Sequence, residues 1–434
     1  MKKAIIFLTL LLSLGINAMG TAYGSYSSLA SWEEDIEQFR EIVFTKHAMF
    51  NFDSTCDSGN NWRHRAYPDV KEFKRLDGRQ EKADIINEMI DALIVNLPSL
   101  TADQIIDELQ RCLSVIGDNH SYCFKELSYS FPFRFLLLND GYYCHEALPG
   151  YEELIFKKLV EINDFSVDEI EEMYSGFGSV DNVYDMRQRL SRGLNMPELL
   201  MALGVIGSLN YETRYLFEDM QSGEMISVSA QDVLTYAEPM IHHSLDIQAP
   251  DQANLPYWFD FLEESEALYI KVNSFSDDEQ ANAAINFDLI NFCNENYVQK
   301  IIFDVRNNKG GIPDSLRLFT LYLQNHDYLN TEGQIFCLID STSLSAATIF
   351  PYEMKELMNI TIVGSPTGSR MHCFTTSGTE EYHLQNSGFK VALASGIYKG
   401  DLALEATFPN VYISPTIWDY ANGVDPLIEY VLTV

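Results

Sequence analysis

The feature of this sequence that most restricts its fold is an alternation of short apolar runs and longer amphipathic segments between residues 267 and 363. The apolar runs are typical of buried strands, and the amphipathic segments repeat apolar residues with a helical period. Strands that alternate with helices at this spacing form a largely parallel sheet covered by helices, so the predicted fold class is α/β. The predicted strands are 267–272, 300–305, 334–340 and 361–363, and the predicted helices are 281–296, 313–324 and 346–358.

A glycine turn follows the second of these strands. It spans 307–311 and ends in Gly310 and Gly311. Glycines can adopt positive φ and can turn backbone N–H groups outward, towards a ligand. A plain strand-to-helix turn would use the same residues. The spacing of the glycines does not match a dinucleotide-binding fingerprint, so that class of site is excluded.

A cluster of serines, Ser341, Ser343 and Ser345, follows the third strand and precedes a predicted helix. Serines in this position are often helix N-caps. Ser345 differs from its neighbours because two alanines follow it, and small residues let a substrate carbonyl approach. A serine at a helix start beside a glycine turn can bring a nucleophile to an oxyanion hole, with the N–H of Ala346 as one donor.

The rest of the chain divides into regions of different predicted secondary structure. Amphipathic helices dominate the amino-terminal part, strands and hairpin signals dominate the middle, and a loop rich in Pro, Asp and Gln at 249–256 is the predicted boundary before the α/β part. The predicted regions are a signal peptide at 1–20, a helical domain at 25–123 that carries His120, a β-rich substrate domain at 124–250, and an α/β core at 256–434.

The amino terminus has the pattern of a signal peptide. Lys2 and Lys3 precede an apolar run at 4–15, and small residues at 18–20 suit cleavage. The run is too short to span a bilayer, and no comparable run follows. The sequence therefore predicts an exported protein, periplasmic or extracellular, without a membrane span after removal of the signal.

Charge and cysteine content restrict the partners. The chain has 29 basic and 63 acidic residues, a net charge of −34, which argues against nucleic acid as a partner. The seven cysteines show no metal-type spacing, and their odd number leaves at least one outside intrachain disulfides. Buried free thiols are the expectation for most of them.

Several motifs together resemble one superfamily. The run D-V-R-N-N-K-G-G at 304–311, followed by S-L-S-A-A at 343–347, is similar to the glycine and nucleophile turns of the tail-specific (carboxyl-terminal processing) proteases and the tricorn core proteases. The run G-D-N-H-S at 117–121 resembles their D-x-H element, and the stretch from Glu405 onward resembles their carboxyl-terminal part. The resemblance covers most of 32–434 and implies a crotonase-like (Clp-like) β-α-β spiral core.

The superfamily that the chain resembles has two catalytic versions, and the residue at position 370 distinguishes between them. The tail-specific branch uses a Ser–Lys dyad, but Arg370 stands at the lysine position, and arginine cannot accept a proton from serine. The tricorn-like branch takes its base from the D-x-H element, which implies that His120 activates Ser345. The same resemblance implies Glu405 as the group that orients His120, with the amide oxygen of Asn119 as the alternative.

The remaining site residues follow from the same comparison. The N–H of Gly310 or Gly311, together with that of Ala346, is expected to hold the oxyanion. Arg370 is expected either to bind a substrate carboxylate or to brace its loop. No metal or cofactor is required, and the expected partner is a polypeptide substrate.

The run L-V-E-I-N-D-F-S-V at 159–167 is similar to a strand-turn element of the PDZ-like modules in this superfamily, so the middle region is expected to be a degenerate PDZ-like or substitute substrate domain. Two alternatives to a peptidase stay open. The first is a non-catalytic ligand- or peptide-binding protein on the same fold, which the missing lysine favours. The second is an exported scaffold or adhesion protein.

Overall fold

In the computed structural model of the chain, the described residues are 28–51, 78–125, 129–231, 233–234, 241–242, 254–371, 374–375, 381–397 and 404–434. The predicted signal peptide and most of the predicted linker at 249–256 lie outside these ranges. No helix within them is both long and apolar enough to cross a membrane.

The amino-terminal region is helical up to the segment that carries His120. Helix α4 begins with a capping box, in which Gln104 N donates to Thr101 Oγ1 and Thr101 N donates to Gln104 Oε1. After α4 the chain turns at Gly117, which has φ +70°. The elements of this region are α1 (Leu29–Lys46), α2 (Ala48–Asn51), α3 (Arg79–Asn96), α4 (Ala102–Ser114) and the short strand β1 (Tyr122–Cys123).

The middle region is an antiparallel sheet with three helices. Its elements are β2 (Tyr129–Ser130), β3 (Phe133–Leu138), β4 (Gly141–Ala147), β5 (Lys158–Ile162), β6 (Phe165–Ser166), α5 (Val167–Ser175), α6 (Val183–Gly193), α7 (Pro197–Ala202), β7 (Thr213–Glu218), β8 (Met225–Ala230), β9 (Val233–Leu234) and β10 (Ile241–His242). The sheet order is β10-β4-β5-β7-β8, with β3 paired to β4 and β6 to β5. Buried aromatic side chains fill its core, among them Phe133, Tyr215 and Phe217.

The carboxyl-terminal region contains the predicted α/β alternation. Its elements are β11 (Tyr257–Leu262), β12 (Ala267–Val272), α8 (Glu279–Glu295), β13 (Lys300–Asp304), α9 (Arg317–Gln324), β14 (Ile335–Ile339), α10 (Ala346–Leu357), β15 (Ile360–Gly364), β16 (Phe374–Thr375), β17 (Glu381–His383), β18 (Lys390–Ala392), β19 (Gly396–Ile397), β20 (Val411–Tyr412), α11 (Ile417–Asn422) and α12 (Pro426–Thr433).

Six of these strands form one sheet in the order β11-β12-β13-β14-β15-β20. All neighbours are parallel except β11, which is antiparallel to β12, so the predicted α/β class with a largely parallel sheet is confirmed. Helices α8, α9 and α10 pack on one face, and α12 packs on the other. Because β13 and β14 are parallel neighbours, the turns that follow them meet at the same edge of the sheet.

The amino-terminal helices share their core with a distant segment. Strand β1 pairs with β18, which pairs with β17. Apolar side chains of this segment are buried against the helices: Phe374, Leu384, Phe389, Val391 and Leu393. The core around α1–α4 thus includes residues that the sequence-based division assigns to 256–434, and it extends beyond the predicted domain 25–123.

Candidate active site

The glycine turn after β13 lies directly against the serine turn after β14. Gly310 has φ +105°, and a Cβ placed on it would lie 2.6 Å from Ser345 Cβ and 3.0 Å from Ala346 N. Leu344 N donates to Asn308 O at 2.9 Å, which joins the two turns through the backbone. The position therefore requires glycine both for its backbone conformation and for the close approach.

The Asn308 side chain fixes the glycine turn to the sheet. Its Nδ2 donates to Val272 O at 2.8 Å, and its Oδ1 accepts from Gly310 N at 2.7 Å. The Gly310 N–H is thus already engaged. Among the described residues, the N–H groups of Gly311 and Ala346 have no hydrogen-bond acceptor. Of the three predicted oxyanion donors, these two are the ones free to bind a ligand.

Ser345 has an unusual backbone. Its φ is 52° and its ψ is −117°, a conformation that costs free energy for any residue with a side chain and that is concentrated at functional sites. It stands at the N-cap position of α10, but its side chain makes no capping hydrogen bond. The alternative that Ser345 is an ordinary N-cap serine is therefore not supported.

The hydroxyls of the other two serines in the cluster already form hydrogen bonds. Ser343 Oγ donates to Val305 O at 2.9 Å and is fully buried. Ser341 Oγ donates to Gln188 Oε1 on helix α6 at 3.2 Å. The Ser345 hydroxyl, by contrast, has no hydrogen-bond partner in the described part of the chain.

A buried hydroxyl connects Ser345 with the segment that carries His120. Ser369 Oγ accepts a hydrogen bond from Ser345 N at 2.9 Å and a second from Asn119 Nδ2 at 3.1 Å. Because Asn119 directly precedes His120, the Ser369 hydroxyl holds the His120 segment beside Ser345, although the two are distant in sequence. No hydrogen bond joins the Ser345 hydroxyl to His120 within the described residues. The structure thus brings the two segments together without a direct bond between the two side chains.

Asp118 is the carboxylate beside His120. Its Oδ1 lies 3.6 Å from His120 Nδ1 and accepts from His120 N at 3.0 Å. Its Oδ2 lies 3.2 Å from His47 Nε2 and also accepts from the Ser121 hydroxyl. Because His47 Nδ1 accepts from Met49 N at 2.9 Å, His47 carries its proton on Nε2 and donates it to Asp118.

The pKa values of this pair move in the directions that favour an ion pair. Burial alone lowers the pKa of His120, but the carboxylates of Asp118 and Asp181 more than offset it, so the pKa of His120 is raised above its ordinary value. Burial alone raises the pKa of Asp118, but the close contacts of its carboxylate with His120 and His47 hold that pKa well below its ordinary value. Asp118 is therefore ionised at neutral pH and stabilises a protonated His120.

Glu405, the predicted orienting residue, lies elsewhere. Its side chain is 67% exposed and sits 3.8 Å from the Arg370 guanidinium, while Asp118 occupies the position next to His120. Arg370 in turn donates from its backbone N to Asp181 Oδ2 at 3.2 Å and from Nε to Asp181 O. Of the two roles expected for Arg370, these contacts correspond to bracing the loop.

Helix α6 of the middle region touches each of these segments. At its start, Asn182 Nδ2 donates to Glu405 O at 2.7 Å and to Thr367 O at 3.2 Å. Further along, the Arg189 guanidinium donates to Asp185 Oδ1 at 2.7 Å and to Asn119 O at 3.2 Å. The site is thus held together by residues from three regions of the chain.

Sequence reasoning missed Asp118 and Ser369. Asp118 lies within the D-x-H motif, and its position two residues before His120 was a usable signal. Ser369 directly precedes Arg370, but nothing in its sequence context indicates a contact with Ser345. Asn182 and Arg189 were missed for the same reason.

The described part of the chain shows neither a cluster of metal-binding side chains nor a reactive thiol. No group of three or more His, Cys, Asp or Glu side chains in the described ranges could hold a metal ion. The described cysteines are free and at least partly buried: Cys112, Cys123, Cys144, Cys293 and Cys337. Burial raises the pKa of Cys123 well above its ordinary value, which makes it a poor nucleophile.

The fold is similar to that of a solved structure, CPAF, whose match extends over nearly the whole chain. The crystal structure of mature CPAF matches over 93% of this chain and 96% of its own, with a TM-score of 0.59 and 13% identity. The cpaf s499a mutant matches over the same 93% with a TM-score of 0.60 and 12% identity. The tricorn protease matches over 94% of this chain and 36% of its own, with a TM-score of 0.44 and 14% identity.

No family model matches the chain, and no curated protein matches it by sequence. At 12–13% identity, the likeness to CPAF shows the fold alone. The crotonase-like spiral and the PDZ-like character of the middle region stay sequence-based expectations.

Proposed function

We propose that the chain is an exported serine endopeptidase that hydrolyses peptide bonds, with Ser345 as the nucleophile. The observation that carries the proposal is the geometry of Ser345: a strained backbone, a hydroxyl without a hydrogen-bond partner among the described residues, and the N–H groups of Gly311 and Ala346 beside it, which likewise have no acceptor there. This is the arrangement that acyl transfer requires, because the oxyanion of the tetrahedral intermediate needs donors already in place.

In the proposed reaction, the neutral imidazole of His120 takes the proton of the Ser345 hydroxyl as its oxygen attacks the scissile carbonyl. The Gly311 and Ala346 N–H groups stabilise the oxyanion. The protonated imidazole then donates its proton to the leaving amine, and water hydrolyses the acyl-enzyme by the same steps. Asp118, rather than Glu405, holds the ring and stabilises its charged form. The hydrogen bond between His120 and Ser345 forms when substrate binds, since such bonds are often long in the free enzyme.

A cleavage assay tests this function. The wild-type protein is incubated with a quenched fluorescent casein, and the new amino termini are sequenced. Cleavage is expected to disappear in Ser345→Ala and in His120→Ala and to persist in Arg370→Gln at a level that reflects only the loss of loop bracing. Cleavage that survives in purified His120→Ala at the wild-type rate contradicts His120 as the base.

The second candidate is a non-catalytic peptide-binding protein on the same fold. It is favoured by the missing hydrogen bond between Ser345 and His120 and by the exposure of Glu405. In that case casein is bound by the folded wild-type protein and stays intact at every pH, and Ser345→Ala binds it with the same affinity.

A further inference from the structure

Most cations around the candidate site are already paired with carboxylates. Arg370 contacts Asp181 and Glu405, and Arg189 contacts Asp185. In a protein with a net charge of −34 this is the expected state of a basic side chain. Arg370 is therefore already paired with carboxylates, and a cation without such a partner has to be sought elsewhere.

Arg192 is different. It lies exposed in the last turn of α6, and it makes no hydrogen bond or ion pair with any described residue. Gln188, one turn earlier on the same face of the helix, contacts Ser341, so this face is directed at the serine turn. Arg192 thus stands at the edge of the candidate site. Burial by the surrounding protein and the charge of Arg189 lower the pKa of its guanidinium, and the carboxylates of Asp185 and Asp340, which make no ion pair with it, offset this only in part.

Lys309 lies within the glycine turn, which packs against the serine turn near Ser345. It is exposed between the buried residues Asn308 and Gly310, and it has no ion pair among the described residues. Gly310 touches Ser345, and Asn308 is bonded to Leu344. The two unpaired cations are therefore carried by two elements that contact opposite ends of the same turn, which spans Ser341 to Ser345.

From this placement we propose that Arg192 and Lys309 form an anion-binding subsite that receives a carboxylate of the peptide substrate. The inference rests on the proposed peptidase function and names its substrate class. A guanidinium binds a carboxylate through two parallel hydrogen bonds, which an ammonium group supplements with charge. The carboxylate comes either from an aspartate or glutamate side chain near the scissile bond or from a free carboxyl terminus. On an otherwise acidic surface, the pair selects where an acidic peptide is bound.

Peptide binding to the Ser345→Ala protein tests the subsite without cleavage. The probes are four fluorescein-labelled peptide pools: one in which a single glutamate is moved along an otherwise uncharged peptide, its glutamine counterpart, and each of these with an amidated carboxyl terminus. Fluorescence anisotropy gives the Kd of each pool. The test variants add Arg192→Gln, Arg192→Lys or Lys309→Gln. The matched control adds Lys355→Gln, which removes one positive charge from an exposed residue near the far end of α10.

The proposal predicts that anionic pools bind about tenfold more tightly than their neutral counterparts. Arg192→Gln and Lys309→Gln reduce this preference, Arg192→Lys retains part of it, and Lys355→Gln leaves it unchanged. If glutamate creates the preference, the source is a side chain; if amidation abolishes it, the source is the terminal carboxylate. An equal Kd for all four pools, or a preference that both glutamine variants leave intact, overturns the proposal.

The two proposals fail separately. A protein that discriminates the pools through Arg192 and Lys309 but never cleaves casein has the subsite and lacks the peptidase function. A protein that cleaves casein and shows no such discrimination has the function and lacks the subsite.

Discussion

Asp118 is the residue on which the chemistry of His120 depends. Because a general base has to be neutral, the peptidase rate is expected to fall as the pH drops through the pKa of His120. Burial lowers that pKa, but the carboxylates of Asp118 and Asp181 raise it by a larger amount, so the net pKa is above the ordinary histidine value of about 6.5. The acid limb of the kcat/KM profile is therefore expected above that pH.

Asp118→Asn removes the charge that raises this pKa. The acid limb is expected to move to lower pH, and the plateau is expected to fall by at least about 100-fold, because the ring loses its orienting partner. Glu405→Gln is the matched control, since it neutralises an exposed carboxylate that does not touch His120. An acid limb that moves in Glu405→Gln and stays in place in Asp118→Asn would restore the role first expected for Glu405.

Ser369 is a positioning residue, since it acts on Ser345 and on Asn119 through hydrogen bonds. Ser369→Ala leaves two donors without an acceptor in a fully buried place, which is expected to cost about 1–3 kcal/mol of unfolding free energy and to lower kcat more than it changes KM. Urea unfolding and steady-state kinetics measure the two effects. Ser365→Ala, in the same loop and with no side-chain hydrogen bond among the described residues, is expected to change neither.

At the scale of single elements, the glycine turn determines where Ser345 lies. Gly310→Ala places a methyl group 2.6 Å from Ser345 Cβ and strains a backbone with φ +105°. The expected result is a displaced serine turn and a loss of peptidase rate of at least about tenfold, the equivalent of roughly 1.4 kcal/mol in the transition state. Gly207→Ala, with no atom within 4 Å of the added Cβ, is the control and is expected to leave the rate unchanged. A wild-type rate in Gly310→Ala would contradict the need for this close approach.

The elements of the α/β region could be predicted because their pattern is local. The runs that became β13, β14 and β15 are mostly apolar, and the glycine and serine turns follow the first two directly. Parallel pairing then brings the turns to one edge of the sheet.

The contacts that complete the site could not be predicted in this way. Ser369 meets Ser345 and Asn119 because loops from distant parts of the chain converge, and no sequence period encodes that convergence. Glu405 also could not be placed from its sequence context. The motif around it lacks the glycines of the family pattern, and in the structure its side chain is exposed and lies beside Arg370.

At the scale of the whole molecule, the amino-terminal helices and the α/β region depend on each other. The segment that carries β17 and β18 buries its apolar side chains among α1, α3 and α4, and not only against the large sheet. This packing joins residues more than 250 positions apart, such as Ser121 Oγ and Ala394 N, which form a hydrogen bond.

Residues 254–434 expressed alone are therefore expected not to form a native-like unit. Five large apolar side chains would lose their cover, and each contributes about 1.5–3 kcal/mol when buried: Phe374, Leu384, Phe389, Val391 and Leu393. Strong binding of a hydrophobic dye and rapid proteolysis of 374–397 would show this. Cooperative unfolding of the fragment with little dye binding would instead support the division at 256 that the sequence suggests.

The most direct test of the catalytic claim is the site and rate of labelling by a fluorophosphonate, a reagent that phosphonylates activated serines. Intact-mass spectrometry and peptide mapping follow the wild-type protein, Ser345→Ala, His120→Ala and Glu405→Gln. One adduct is expected on Ser345 in the wild type and in Glu405→Gln, none in Ser345→Ala, and labelling slowed by at least about 100-fold in His120→Ala. Folded wild-type protein that acquires no adduct, or an adduct on another residue, would contradict Ser345 as the nucleophile.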